Sequence, residues 1–283
     1  MLDRTGFPGF GGSKVVAQVI TKLAQFVDLA EDDKLALAGA VSGTRQIGAR
    51  RNVVRVGAKP QALQLIAEGY AFRYVVLPDG RRQIIALLLP GDLCNPHFAI
   101  CAEIDHSIET LTPVVIAEVP IAAANALLLQ NPNLDQAMRR SLMADEGMAR
   151  ERIIDLGRRS AKERLGHFIC EVFERCRAVG LAQGMTSPMP ICQDHLADIL
   201  GLSLVHVNRS LQALRQAGLL QLKGRVLNIL RYDELKEMAH FDATYLRLSR
   251  ATAQREQAAA SAARPALGLM QRYPGTAACA AAG

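Results

Sequence analysis

The chain has 283 residues, half of them hydrophobic, which is apolar material for a substantial core and roughly two domains and excludes a disordered chain. No uninterrupted apolar run reaches the ~18 residues that span a bilayer, and the N-terminal stretch with Asp3, Gly6, Pro8, Gly11 and Gly12 lacks a signal-peptide core, so a cytoplasmic protein without a membrane partner is expected. The formal net charge of +6 is unevenly spread, with 12 basic and 12 acidic side chains in residues 1–130, 17 and 14 in 131–249, and 4 and 1 in 250–283, so the second half meets a polyanion more readily.

Residues Val15 to Phe26 and Glu31 to Ala40 read as helices. Short apolar runs rich in β-branched and aromatic residues follow, at Val53–Val56, Ala62–Ile66, Ala71–Leu77, Arg82–Leu88, His106–Leu111 and Val114–Val119. Between two of them Pro78, Asp79 and Gly80 form a strong turn, proline presetting φ and glycine taking the positive φ. Strands at this spacing predict a small antiparallel barrel or sandwich preceded by helices. The six cysteines contain no Cys-x-x-Cys pair, so free thiols are expected. Cys94, His97, Cys101 and His106 do cluster, and thiolate with imidazole is a workable set for zinc or iron, but the spacing fits no metal motif. Neither a metal nor a cofactor is expected.

After Asn131 and Pro132 a long helix carries Leu134, Met138, Leu142, Ala149, Ile153 and Leu156 in steps of four, four, seven, four and three. Such a stripe pairs with a copy of itself as a coiled coil, or packs on its own domain. Arg158 to Arg164 lead into an amphipathic helix with Leu165, Phe168, Ile169 and Val172 inward, and residues Gly180 to Pro190 read as a loop.

Residues 192–220 carry the sharpest pattern. A helix from about Gln193 to Leu200 ends at Gly201, and Ser203 is a good N-cap for a second helix starting at Leu204. Val207, Leu211 and Leu214 fall on one side of that second helix, with Val205, Arg209, Gln212 and Gln216 opposite and His206 and Asn208 flanking. Leu219–Leu222 and Val226–Leu230 then form a hairpin whose tip holds Lys223, Gly224 and Arg225. Helix, turn, helix and wing make a DNA-binding module, against the plainer reading of a helical hairpin with a solvated polar face. Arginine can donate twice to guanine, asparagine or glutamine can pair with adenine, and Val205 can contact a thymine methyl. Lys223 and Arg225 would touch phosphate.

The whole order resembles the Crp/Fnr family of bacterial transcription regulators over about residues 20 to 240. The carrying residues are Arg55-Val56-Gly57, Ile66-Ala67-Glu68-Gly69, Pro78-Asp79-Gly80, Leu89-Pro90-Gly91-Asp92, Asn131-Pro132, and Gly201, Ser203, Val207 and Arg209. The resemblance implies an α+β fold: an N-terminal antiparallel β-roll of the cupin-like jelly-roll kind with flanking helices over residues 1–130, a dimerisation helix over 131–164, and a winged helix-turn-helix over 165–240. An Ala-rich, disordered tail is expected over 250–283. Residues Ser203, Leu204, Val205, His206, Asn208, Arg209, Gln212, Lys223 and Arg225 are the expected DNA contacts.

The effector region departs from the family pattern. Cyclic AMP-binding members carry a Gly-Glu pair for the ribose and an Arg-Ser pair for the phosphate; here those places read Leu93-Cys94-Asn95-Pro96 and Asp105-His106-Ser107. A phosphate would lose an always-charged bidentate partner, so cyclic AMP is not expected to bind. The residues of the altered effector pocket are Cys94, Asn95, His106 and Ser107. No N-terminal cysteine cluster for an iron–sulfur centre is seen. The expected function is a homodimeric regulator on a palindromic operator of double-stranded DNA, with RNA polymerase and an unidentified small-molecule effector as further implied partners. Two rival readings are a dimeric interaction protein with a degenerate sensor, and a cupin-like metalloenzyme. The second lacks any His-x-His, with His97 and His106 nine residues apart.

Overall fold

A computed structural model describes residues 15–97 and 102–248. The expected tail over 250–283, and Cys101 in the effector region, lie outside the described residues. Helices α1 (Ala17–Leu23) and α2 (Glu31–Ala40) precede a β-roll of two antiparallel sheets. One sheet orders β1 (Gly43–Ile47), β7 (Val114–Pro120) and β3 (Ala62–Glu68) as β1-β7-β3. The other orders β2 (Asn52–Val54), β6 (Ser107–Thr110), β4 (Ala71–Val76) and β5 (Arg82–Leu88) as β2-β6-β4-β5. The α+β class and the β-roll are as the sequence implied.

The strands form where alternating apolar side chains find the interior: Val53, Ile66, Ala71, Leu88, Cys94, Ile108, Val114 and Ile116 pack between the sheets. Gly69 turns β3 into β4 at φ +83°, and a Cβ there would stand 2.2 Å from the Pro113 carbonyl oxygen, so only glycine fits. The expected strand Val53–Val56 is shorter and earlier, since Gly57 turns the chain at φ +82° and donates its N–H to Ile104 O. Strand β1 and helix α3 (Ile121–Gln130) have no counterpart in the sequence expectations.

Helix α4 (Pro132–Gly157) begins with proline in its first turn, where a missing N–H costs nothing. Its apolar stripe divides in two. Leu134 and Met138 are buried against α1, α3 and the roll, whereas Ala149, Ile153 and Leu156 are exposed. Helix α5 (Ala161–Ala178) starts with a capping box in which Ser160 and Glu163 satisfy each other's backbone N–H. It buries Leu165, Phe168, Ile169 and Val172 as expected.

Helices α6 (Gln193–Leu200) and α7 (Leu204–Gln216) follow, then the hairpin β9 (Leu220–Lys223) and β10 (Val226–Ile229) and helix α8 (Tyr232–Met238). The loop expected over residues 180–190 contains a strand, β8 (Thr186–Pro188), which pairs with β10 to give the order β8-β10-β9. One hydrophobic cluster joins the sensor residues Tyr70, Phe72, Ile84 and Leu87 to α5 and the helix-turn-helix. Among the described residues no helix is long and apolar enough to cross a membrane.

Candidate DNA interface and effector pocket

Helix α6 ends on Gly201, whose φ of +61° is the left-handed conformation that releases the chain toward α7. Leu156 of α4 sits 3.0 Å from where a Cβ would stand, so the turn is packed as well as bent. Ser203 caps α7 by accepting from the His206 N–H. Val207, Ser210, Leu211 and Leu214 face inward. That leaves Ser203, Leu204, Val205, His206, Asn208, Arg209 and Gln212 exposed on one contiguous outer face.

The wing tip is a two-residue turn with φ of +60° at Gly224 and +66° at Arg225, flanked by the pair Lys223 and Val226. Positive φ at both central positions matches the right-handed twist of the strands. Lys223 and Arg225 project into solvent. Arg215 donates to the Leu222 carbonyl at 2.9 Å and ties the recognition helix to the wing. The structure therefore brings all nine sequence-expected side chains to helix α7 and the neighbouring wing, and their side chains are free of ion pairs to the described residues.

Sequence reasoning missed what holds α6. Cys192 stands at its N-cap without a capping bond, its Sγ lying 3.0 Å from His195 Nδ1. The C-terminal carbonyls are covered from outside the module: Arg164 donates to Leu200 O at 2.6 Å, and Gln83 of the sensor donates to Asp198 O and Ile199 O. Arg82 pairs with Asp198 at 2.8 Å. No local sequence signal marks partners more than one hundred positions apart.

The four expected effector residues do not converge on one open pocket. Cys94 is fully buried and its thiol is pushed up to about 12 by desolvation. The Asn95 side chain accepts from Gln64 N at 2.9 Å and donates to Ala62 O at 2.7 Å, pinning the strand β3. Ser107 Oγ accepts from Val56 N at 3.1 Å. His106 Nδ1 lies 2.7 Å from Asp105, and burial outweighs that carboxylate to hold the imidazole below its usual range.

A partly open pocket of about 200 Å³ lies elsewhere, between the β4–β5 sheet and helices α4 and α5. Its charges are already committed. Asp92 bridges Lys22 at 2.7 Å and Arg175 at 2.6 Å, Arg73 reaches Asp145 at 3.6 Å, and Arg152 reaches Glu171 at 3.4 Å. Burial alone would raise the Asp92 carboxyl, but Lys22 and Arg175 together outweigh it and hold it below the usual carboxylate range.

Two family models match the chain: a cyclic nucleotide-binding domain over residues 44–131 and a Crp-like helix-turn-helix domain over residues 163–238. The transcriptional activator protein FnrL of Cereibacter sphaeroides is 26% identical over 199 residues, 69% of this chain and 79% of that protein. The nitrogen fixation regulation protein FixK of Bradyrhizobium diazoefficiens is 30% identical over 153 residues, 54% of this chain and 63% of that protein. In structure, FixK2 from Bradyrhizobium japonicum superposes with a TM-score of 0.62 at 22% identity, over 69% of this chain and 96% of that one. These relatives are regulators and not enzymes. With both domains matched in order and the β-roll, long helix and winged module in place, the chain belongs to the Crp/Fnr family of DNA-binding transcription regulators.

Proposed function

We propose that this regulator works as a homodimer on a two-fold symmetric DNA site, each protomer placing α7 in the major groove. The observation that carries the proposal is the separation of faces on α7: a buried apolar side, and an outer side where Leu204, Val205, His206, Asn208, Arg209 and Gln212 are all exposed. Ser203 and the wing residues Lys223 and Arg225 add backbone contacts. Pairing of protomers runs along the exposed part of α4, where Met143 is 43%, Ile153 71% and Leu156 48% exposed. These are apolar groups that a second copy of the helix would cover. The functional division is a sensor over residues 1–130, a dimerisation helix over 131–164 and a DNA-binding domain over 165–240.

The sensor is not controlled by cyclic AMP. At the family's phosphate position stands His106, paired with Asp105, and the arginines lining the pocket between the β4–β5 sheet and α4 and α5 are held by carboxylates. A different small-molecule effector, bound elsewhere in the sensor than at Cys94, Asn95, His106 and Ser107, would shift the population between dimers with well- and ill-spaced recognition helices. The protein acts in the cytoplasm, where DNA and RNA polymerase, its remaining partner, are found.

The experiment is selection from random-sequence duplexes by the purified protein, with Arg209→Ala beside it, and a measured solution mass. A dimer enriching a two-fold symmetric site that weakens in the variant is expected. A monomer, or enrichment unchanged by the substitution, would overturn the proposal.

A further inference from the structure

The interior face of β4 carries a charge. Side chains alternate along a strand, so Arg73 shares a face with Ala71, which packs between the two sheets with Cys94 and Ile108. Only 11% of the Arg73 side chain is exposed. The register shifts between Arg73 and Tyr74, leaving Ile85 as an extra residue on β5, and Arg73 stands opposite the small Ala86. A guanidinium so shielded must be matched by acceptors, and each of its nitrogens has one. Nε donates to Cys94 O at 3.3 Å, Nη2 donates to Leu93 O at 2.6 Å, and Nη1 lies 3.6 Å from the Asp145 carboxylate.

Leu93 and Cys94 stand at the family's ribose position and His106 at its phosphate position. The charge of Arg73 is felt at both. Burial raises the Cys94 thiol and Arg73 is the first of the groups that oppose it, while burial chiefly lowers the His106 imidazole and Arg73 adds to that. The acceptors gathered around the guanidinium, two carbonyls and a carboxylate, suit a cation rather than an anion. The third contact leaves the roll. Asp145 stands on α4 between the buried stretch with Leu134, Met138 and Ala144 and the exposed Ile153 and Leu156. Among the described residues, Arg73 with Asp145 is the ion pair that joins a strand of the roll to α4. The other arginines lining the same pocket serve different elements: Arg175 of α5 holds Asp92, and Arg152 of α4 reaches Glu171 of α5.

We propose that Arg73 is an effector built into the chain: its guanidinium fills the altered effector site and, through Asp145, holds α4 in the arrangement that binds DNA. This rests on the reading that the sensor governs DNA binding through α4, and it names the group that carries the coupling. A ligand shifts a conformational equilibrium only through contacts it makes better in one state than in the other. A tethered guanidinium makes its contacts at a permanently high effective concentration, so DNA binding needs no small molecule at this place. Removing the guanidinium leaves a site of carbonyl and carboxylate acceptors that a free guanidinium ion of the same shape can enter.

The test uses the full-length protein and the duplex recovered from random sequences, with no effector added. Arg73→Ala should weaken binding roughly ten- to hundredfold. Millimolar methylguanidinium chloride should restore most of that affinity, whereas sodium chloride at the same concentration should not, because added salt by itself weakens DNA binding. Asp145→Asn should also weaken binding, without rescue, and adding it to Arg73→Ala should cost little more, since the two groups act as one pair. A folded Arg73→Ala protein that binds as tightly as the unaltered one, or whose loss methylguanidinium leaves in place, would overturn the proposal. Should Arg73→Ala not fold, Asp145→Asn decides: weakened binding supports the link and unchanged affinity overturns it. Failure of the unaltered protein to bind the selected duplex would instead overturn the reading of α7, and this proposal with it.

Discussion

Arg82 in the sensor sheet donates from Nε to Asp198 in the first helix of the DNA-binding module at 2.8 Å, while its guanidinium lies 5.1 Å from the centre of the Phe72 ring. One side chain thus packs on the sensor and fixes the orientation of α6. Both partners are about three-quarters shielded from solvent, so the pair is stronger than an open surface bridge. Arg82→Ala should cost about 1–2 kcal/mol, lowering the melting temperature by roughly 2–6 °C. Amide exchange in residues 193–200 should accelerate more than in α7. Uniform acceleration across the whole module would show that this contact is not what holds α6.

Asp92 presents the opposite balance of burial and charge. It is 5% exposed and holds two cations, Lys22 from α1 and Arg175 from α5, while its carboxylate also accepts from Leu89 N. Replacing it by asparagine keeps the shape but leaves Lys22 without its counter-charge and Arg175 with only Glu171, 3.7 Å away, in a shielded place. Removing one partner of a buried pair typically costs about 3–5 kcal/mol, so Asp92→Asn should unfold at markedly lower denaturant concentration than Arg82→Ala. Near-equal midpoints for the two variants would contradict the ranking.

The helix-turn-helix was legible because its signals are local: Gly201 must take positive φ, Ser203 must cap, and Leu211 and Leu214 must face inward within one helix. The sensor strands were legible through β-branched runs. Strand β1 was not, since Gly43–Ile47 is polar and lies at a sheet edge with little apolar alternation. Strand β8 was hidden by the prolines and glycines around Thr186–Pro188. The surroundings of Cys94 and Asn95 were illegible for another reason: whether a polar side chain faces a ligand or pins its own backbone depends on residues such as Gln64 and Ala62, thirty positions away.

Cys192 occupies the N-cap of α6 with extended backbone but makes no capping bond, whereas Ser203 caps α7. A serine hydroxyl in place of the thiol would satisfy one free N–H of the first turn. Cys192→Ser should therefore raise stability by about 0.5–1 kcal/mol, while Ser203→Ala should lower it by about 1 kcal/mol. Denaturant titration of the two variants beside the parent checks both signs.

His167 is buried between Phe241, edge-on at 5.1 Å, and Tyr245, stacked at 5.8 Å. Glu151 approaches Nε2 at 3.3 Å and Asp155 approaches Nδ1 at 3.9 Å, but Arg159 is bonded to both carboxylates and takes up their charge. Desolvation, with Arg159 and Arg152, pushes the imidazole down to about 3 from an ordinary 6.5. The unfolded chain therefore binds this proton first. Stability from this residue is complete above pH ~6.5 and is lost as pH falls toward ~3, with a slope of at most about 1.4 kcal/mol per pH unit. His167→Leu should flatten the stability profile between pH ~6.5 and ~4. An unchanged slope in that window would show that His167 is not its source.

Arg209 and Lys223 are both exposed cations of the DNA-binding module, yet their positions ask for different losses. Arg209 projects from the outer face of α7, about one and a half turns from its N-terminus, where a guanidinium can donate twice to a guanine edge. Lys223 stands at the wing tip beside Gly224, where a flexible ammonium meets phosphate and reads no base. Arg209→Ala should cost roughly 1–3 kcal/mol on the selected site and little on unrelated duplex. Lys223→Ala should weaken both alike and lower the salt slope by about 1 per protomer. Titrations of each variant against the selected and a scrambled duplex at several salt concentrations measure all of these quantities. Equal losses on both duplexes for Arg209→Ala would place that residue on the backbone rather than on the bases.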